Sequence, residues 1–440
     1  MQFRSTKNKN HIVSFKDAVL NCLPPDGGLY VPDQTIDLRQ FFLYMDDKTS
    51  YPEFVATVAP SLLEGELNPF SAARVAESAF NFEPELIRLD DTLSILNLYK
   101  GPTGIFKDFG RAFFAAIMEE MTKNSGQTLV LSASQGDAGV SMAHAFHGRK
   151  GIFSVLLYPS GPIYGLDPAC FVTNGGNIIP IQVQGGFDDC QRLITEVIHD
   201  RDFSSRYRIT SGNAINAGRL LPQAFYYLYA FVKIKKALTR DLIFSVPSGN
   251  FGNLIAGLYA WKFGMPVSGF IAAMNINNAF GDFIEGKPFA PRPVIDTVSP
   301  ALDVSVPANF ERFASFYEEA PAVMRNLVYP ASINDVRTLQ AIAHAWEKYG
   351  VLIDPHCAVA LAAAEQVAAS RNLKDQVHTV VLATGHPAKE AEIIYRVTGE
   401  KIKMPANLQM LRKKTEPVAV IKPQLDAFEK AITGSFKKRN

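Results

Sequence analysis

Short, uninterrupted apolar runs recurring between helix-period stretches constrain this chain more than any other feature. Residues 128–132, 153–158, 177–183, 242–246, 266–273 and 377–383 each read as a strand, while 138–146, 221–238 and 254–263 carry helical periodicity. A strand apolar on both faces needs cover on both faces, and helices in parallel crossovers supply it. The expectation is an α/β protein with open, twisted, mostly parallel sheets and helices on both faces. In such sheets ligands bind where strand C-termini meet helix N-termini, so chemistry is expected in the turns just after strands.

Upstream, residues 13–33 predict a helix and a short extended piece packed outside the catalytic unit. Residues 51–82 are helical in period, with Pro60, Asn68-Pro69 and Pro84 as stops. A first boundary is expected near residue 90. A length of 440 residues calls for more than one lobe. The net charge of +1 gives no electrostatic case for nucleic acid as a partner. Cys22, Cys170, Cys190 and Cys357 form no CxxC pair, so buried free thiols are expected and no metal site. The polar, basic residues 1–10 lack the apolar core of a secretory signal, and no apolar stretch approaches the ~20 residues that span a bilayer. A cytoplasmic protein without a membrane partner, monomer or homodimer, is expected.

Four turns carry candidate chemistry. In Gly101-Pro102-Thr103-Gly104-Ile105-Phe106-Lys107-Asp108-Phe109-Gly110 a lysine is flanked by two phenylalanines. Desolvation between rings disfavours the ammonium and suits the amine to imine formation with an aldehyde cofactor. The plain alternative pairs Lys107 with Asp108 on a solvated helical turn. Ser248-Gly249-Asn250-Phe251-Gly252-Asn253 follows a buried run and opens a helix, with glycines that let backbone amides approach an anion. Neither GKS/GKT nor GxGxxG is present, so a cofactor with one phosphate fits better than a nucleoside triphosphate or a dinucleotide. An ordinary glycine turn has the same pattern.

Ser134-Gln135-Gly136-Asp137-Ala138-Gly139 offers a helix N-terminus to a substrate carboxylate, or is a plain cap made by Ser134 or Asp137. Asn213 to Arg219 orients a polar or phosphorylated substrate, or caps a helix and leaves a surface arginine. In Thr384-Gly385-His386-Pro387-Ala388-Lys389 the Thr384 hydroxyl is a neutral partner for a cofactor nitrogen. His386 reads as a residue that hydrogen-bonds the turn.

With Pro25-Asp26-Gly27-Gly28-Leu29-Tyr30-Val31-Pro32 and the segment Ala143-His144-Ala145-Phe146, these motifs in this order resemble the threonine synthase family, pyridoxal 5'-phosphate (PLP) enzymes of the tryptophan-synthase-β structural group. The likeness runs from about residue 3 to about residue 405. It implies two sheets plus an N-terminal α/β extension. The implied units are an N-terminal domain at 1–90, a large PLP-binding domain at 91–128 and 215–440, and a small mobile domain at 129–214.

The resemblance implies that Lys107 holds PLP as a Schiff base with Phe106 beside it. It also implies that Ser248, Gly249, Asn250, Phe251, Gly252 and Asn253 hold the cofactor phosphate and that Thr384 faces the pyridine nitrogen. Lys100, Ser134, Gln135, Gly136 and Asp137 would bind substrate, the 134–139 loop taking its carboxylate, while Asn213 and Arg219 approach its side chain. The family reaction converts O-phosphohomoserine and water to threonine and phosphate.

This chain departs from the family pattern near the substrate. Gln135 and Ala138 replace hydroxyl residues, Lys100 stands for a common histidine, Gly161-Pro162 for a glycine and a basic residue, and Gly385 for an alanine. The alternatives are a PLP-dependent β- or γ-eliminating lyase on a related phosphorylated or hydroxylated amino acid, and a degenerate ligand-binding homologue without turnover.

Overall fold

A computed structural model of the chain describes residues 1–63, 65–123, 126–134, 136–160, 176–411 and 417–437. The strands, in chain order, are β1 (Gln2–Ser5), β2 (Ile12–Ser14), β3 (Tyr30–Pro32), β4 (Glu85–Arg88), β5 (Leu93–Asn97), β6 (Thr128–Ala133), β7 (Ile152–Pro159), β8 (Ile178–Val183), β9 (Arg208–Ser211), β10 (Asp241–Pro247), β11 (Gly269–Met274), β12 (Val328–Ser332), β13 (Val377–Ala383) and β14 (Ala419–Ile421). They form an antiparallel N-terminal sheet β2-β1-β3, a 6-stranded sheet β12-β11-β10-β13-β5-β4 and a 5-stranded sheet β14-β8-β7-β6-β9. The 5-stranded sheet is parallel throughout, and in the 6-stranded one only the β4–β5 pair is antiparallel. Both large sheets thus have the open, mostly parallel form that the apolar runs predict. Among the described residues no helix is long and apolar enough to cross a membrane.

Cover for the strands explains their composition. β6 and β13 are buried at every position, and β10 at every position but its first. The helix Pro355–Ser370 packs on β10, β11 and β13 through a face of alanines, which lets its backbone come close enough for Ser245 Oγ to donate to the Ala360 carbonyl at 2.6 Å. Its first turn is capped by Asp354, which accepts from Cys357 N–H. Cys22, Cys190 and Cys357 are free and buried, while Cys170 lies outside the described residues.

Three expectations are revised. The helix Tyr51–Leu62 passes through Pro60 and stops at Leu62, because a proline in the last turn removes only one late hydrogen bond. β4 begins at Glu85, so the 6-stranded sheet starts before residue 90. Residues 419–421, grouped by the sequence with the larger unit, instead extend the 5-stranded sheet beside β8, and the helix Leu425–Lys437 packs with them.

The helix Lys107–Thr122 is the central strut. Phe109 is fully buried and meets Tyr51 and Phe82 at ring-centroid distances of 5.3 and 4.9 Å and Tyr226 at 5.9 Å. It thereby ties the N-terminal helices to the helix Ala224–Ile234. Truncating such a residue removes its transfer energy and leaves a cavity that rigid rings cannot fill. Phe109→Ala should therefore cost about 3–5 kcal/mol in urea unfolding. A loss below about 1 kcal/mol would show that the cluster does not anchor this helix.

Candidate functional site

Lys107 opens its helix at the point where the chain crosses the end of β13. Phe106 N–H donates to the Thr384 carbonyl at 2.9 Å and His386 N–H to the Gly104 carbonyl at 2.9 Å, so the lysine turn lies along residues 384–386. Asp108 fixes the turn from inside. Its carboxylate accepts from Thr103 N–H at 2.8 Å, from the Thr103 hydroxyl at 2.5 Å and from the Ser141 hydroxyl at 2.5 Å. Gly101 must lack a side chain here, since a Cβ would stand 2.6 Å from Asp108.

Asp108 is therefore not the partner of Lys107, and the solvated pair is not formed. Lys107 Nζ lies 5.7 Å from the Phe106 ring centroid. Phe109, expected as the second flanking ring, points into the core, because two residues further along a helix is the opposite face. Lys107 keeps a partly accessible surface. Burial, followed by the charges of Arg111 and Arg219, lowers its pKa from 10.5 to about 7.

The 248–253 turn follows β10. Ser248 donates to the Val246 carbonyl, and Phe251 adopts left-handed φ of 59° before the helix Gly252–Lys262 begins. That helix has no side-chain cap, so its first-turn amides are left for an anion. A Cβ on Gly249 would come 2.6 Å from the Ala301 carbonyl oxygen, so only glycine lets the two segments meet. Asn250 accepts from Ala308 N–H, and Asn253 accepts from the Tyr226 and Tyr227 hydroxyls. An uncapped helix start with a glycine entrance fits the phosphate of PLP, and the desolvated amine of Lys107 fits its aldehyde.

The helix Asp137–Phe146 also starts without a side-chain cap. Ser134 Oγ turns to the Gly136 carbonyl, and Asp137 is paired with Lys389, so neither satisfies that helix end. Gln135 and Gly161-Pro162 lie outside the described residues. Asn213 N–H donates to the Ser211 hydroxyl, and Asn216 caps the short helix Ala217–Leu220. Arg219, which the capping alternative leaves on the surface, is instead buried beside Lys107. Lys100 is half-exposed and ion-paired with Glu85 at 2.7 Å. Thr384 follows β13 next to the lysine turn, and His386 accepts from Ala388 N–H as the sequence suggests.

Sequence reading missed several groups. Arg111 stands one turn after Lys107, four residues on, a spacing that places both on one helix face. Asp354 accepts from His356 Nδ1 at 2.6 Å, and His356 Nε2 accepts from Ala301 N–H at 3.2 Å. Glu390, its carboxyl pushed above the ordinary range chiefly by burial, sits near both. A cavity of about 470 Å³ bounded by Asp108, Ser141, His144 and Arg149 opens on the other face of the helix and does not include Lys107.

Comparison with known proteins agrees with this geometry. Residues 89–385 match the model of the pyridoxal-phosphate dependent enzymes, 2–80 that of the threonine synthase N terminus and 357–432 that of the threonine synthase C-terminal region. Threonine synthase of Escherichia coli K12 is 34% identical over 415 residues, covering 93% of this chain and 94% of its own. That of Serratia marcescens is 33% identical over 417 residues, with the same coverage. The crystal structure of the Escherichia coli enzyme superposes with a TM-score of 0.85 at 31% identity, covering 99% of this chain and 100% of its own. PLP-bound threonine synthase from Brucella melitensis gives 0.87 at 28% identity, over 98% of each chain. The chain belongs to the threonine synthase family of pyridoxal-phosphate dependent enzymes.

Proposed function

We propose that this protein is a threonine synthase, converting O-phosphohomoserine and water to threonine and phosphate. The observation that carries the reading is a desolvated lysine amine, without an ion-pair partner among the described residues, in a chain where β6 and β10 each lead into an uncapped helix N-terminus.

In this reading Lys107 is the cofactor lysine, with Phe106 beside it. Ser248, Gly249, Asn250, Phe251, Gly252 and Asn253 hold the cofactor phosphate, and Thr384 offers its hydroxyl to the ring nitrogen. When bound, PLP supplies the electron sink that makes protons on the substrate's α and β carbons removable. The chain's own groups do the rest. Lys107, with its pKa near 7, is matched to taking and returning protons at those carbons through Nζ. The amides opening the helix Asp137–Phe146, with Ser134, Gln135 and Gly136, take the substrate carboxylate. Asn213 and Arg219 lie toward the substrate side chain, with Lys100 at the rim. Asp137, held by Lys389, keeps its charge away from that carboxylate.

Purified holoprotein given O-phosphohomoserine should release phosphate and threonine in equal amounts. A 2-oxo acid with ammonia, or no product, would overturn the reading. Lys107→Ala should abolish turnover and the visible absorbance of the bound cofactor. In cofactor-free protein, competitive acetylation read by peptide mass spectrometry should give Lys107 a reactivity midpoint near pH 7, since burial favours the neutral amine. A midpoint near 10 would show an ordinary solvated lysine. Gly249→Ala must displace either its own loop or the Ala301 turn, so it should weaken PLP binding by about tenfold or more, roughly the effect of losing 1.4 kcal/mol. Unchanged affinity would remove residues 249–253 from the phosphate site.

A further inference from the structure

Two buried arginines, near enough for their charges to act on Lys107 and on each other, have donors to spare. Gly110 lies against the helix Ala217–Leu220, where a Cβ would stand 2.5 Å from the Arg219 carbonyl oxygen. That approach brings Arg111, on the Lys107 face of its helix, close to Arg219. Arg111 is 2% exposed and Arg219 7%. Among the described residues, Nε and Nη1 of Arg111 and Nε of Arg219 have no hydrogen-bond partner, and Nη1 of Arg219 reaches only the Gly212 carbonyl at 3.5 Å.

A buried arginine with a structural role looks different in this same molecule. Arg312 is fully buried, and its guanidinium donates to the Tyr30, Ala214 and Ile215 carbonyls and to Asn309 Oδ1. Arg111 has no such acceptors among the described residues. The carboxylates near it are committed, Asp108 to Thr103 and Ser141 and Asp137 to Lys389. Two like charges buried together without an acceptor are unfavourable unless an anion joins them. Paired guanidinium forks suit a phosphate dianion, which offers several acceptor oxygens and two charges.

We propose that Arg111, together with Arg219, forms the subsite for the phosphate group of the substrate and for the phosphate ion released from it. The proposal rests on the reaction assigned above and adds a specificity residue that no sequence motif marked. The cofactor phosphate is held elsewhere, at the end of β10, and the substrate carboxylate has the helix start at Asp137. Lys100, committed to Glu85, leaves this role open.

The test uses holoprotein, wild type against Arg111→Gln and Arg111→Lys. Inorganic phosphate binding measured by calorimetry should weaken at least tenfold in Arg111→Gln and less in Arg111→Lys, which keeps the charge but loses the fork. PLP affinity should change less than twofold. KM for O-phosphohomoserine should rise with Arg111→Gln while KM for a neutral O-acyl homoserine does not.

Unchanged phosphate affinity, or a loss of PLP affinity as large as that of phosphate, overturns the subsite. If Arg111→Gln fails to fold, wild-type holoprotein decides: inorganic phosphate should raise its unfolding midpoint above that in chloride of equal ionic strength. No rise overturns the proposal. Arg111-dependent phosphate binding without turnover of O-phosphohomoserine sinks the assigned reaction and leaves the subsite standing. Turnover with phosphate affinity indifferent to Arg111 does the reverse.

Discussion

The carboxylate of Asp108 accepts three hydrogen bonds in the interior, and the placement of the reactive amine follows from that commitment. Hydrogen bonds to a charged group contribute roughly 1.5–3 kcal/mol each. The three donors come from the Gly-Pro-Thr turn and from the helix that rises out of the 5-stranded sheet. One side chain therefore fixes the start of the central helix to elements of both large sheets. Lys107 precedes it on the helix and must point about 100° away. The amine is thereby deprived of the only carboxylate adjacent to it in sequence.

That deprivation is what makes the lysine chemically useful. A partnered lysine in the same place would keep its proton. Here burial comes first, and the Arg111 and Arg219 charges add to it. Lys107, Arg111 and Arg219 act on one another as like charges, and a stiff framework holds them in place. The stiffness comes from the aromatic packing around Phe109 and from Arg312. The Arg312 guanidinium ties β3, the 214–215 segment and Asn309 into one block beside the 248–253 turn.

The inner strands were legible because burial on both faces leaves only apolar residues possible. β6, β7, β8, β10, β11 and β13 all stand near where their runs predict. The edge strands β4, β9, β12 and β14 carry no such signal, since an edge strand is half-solvated, short and mixed in sequence. β5 is interior yet also lacks a continuous apolar run. It carries Ser94, which bonds His378, and Asn97, which bonds Glu85, so its run is broken by buried polar groups. In the site, what is local could be read: a lysine turn and a glycine turn each declare themselves within ten residues. Arg111, Asp354 and His356 acquire meaning only when distant segments pack around them. The expected ring at Phe109 failed for a related reason, since neighbours in sequence diverge once the helix begins.

The sequence departure at Gly385 becomes intelligible through those distant segments. A Cβ at 385 would stand 2.9 Å from Asp354 Oδ2, so alanine there would press on the carboxylate that holds His356. His356 accepts from Ala301 N–H through Nε2, which requires its ring proton to sit on Nδ1 facing Asp354. Ala301 in turn presents its carbonyl to Gly249 at a distance that excludes any side chain. A single run of contacts thus leads from the residue after Thr384, through a buried acid and an imidazole, to the loop assigned to the cofactor phosphate. The two ends of the proposed cofactor site are set by one hydrogen-bonded spacer, and the missing methyl at 385 is the room that spacer occupies.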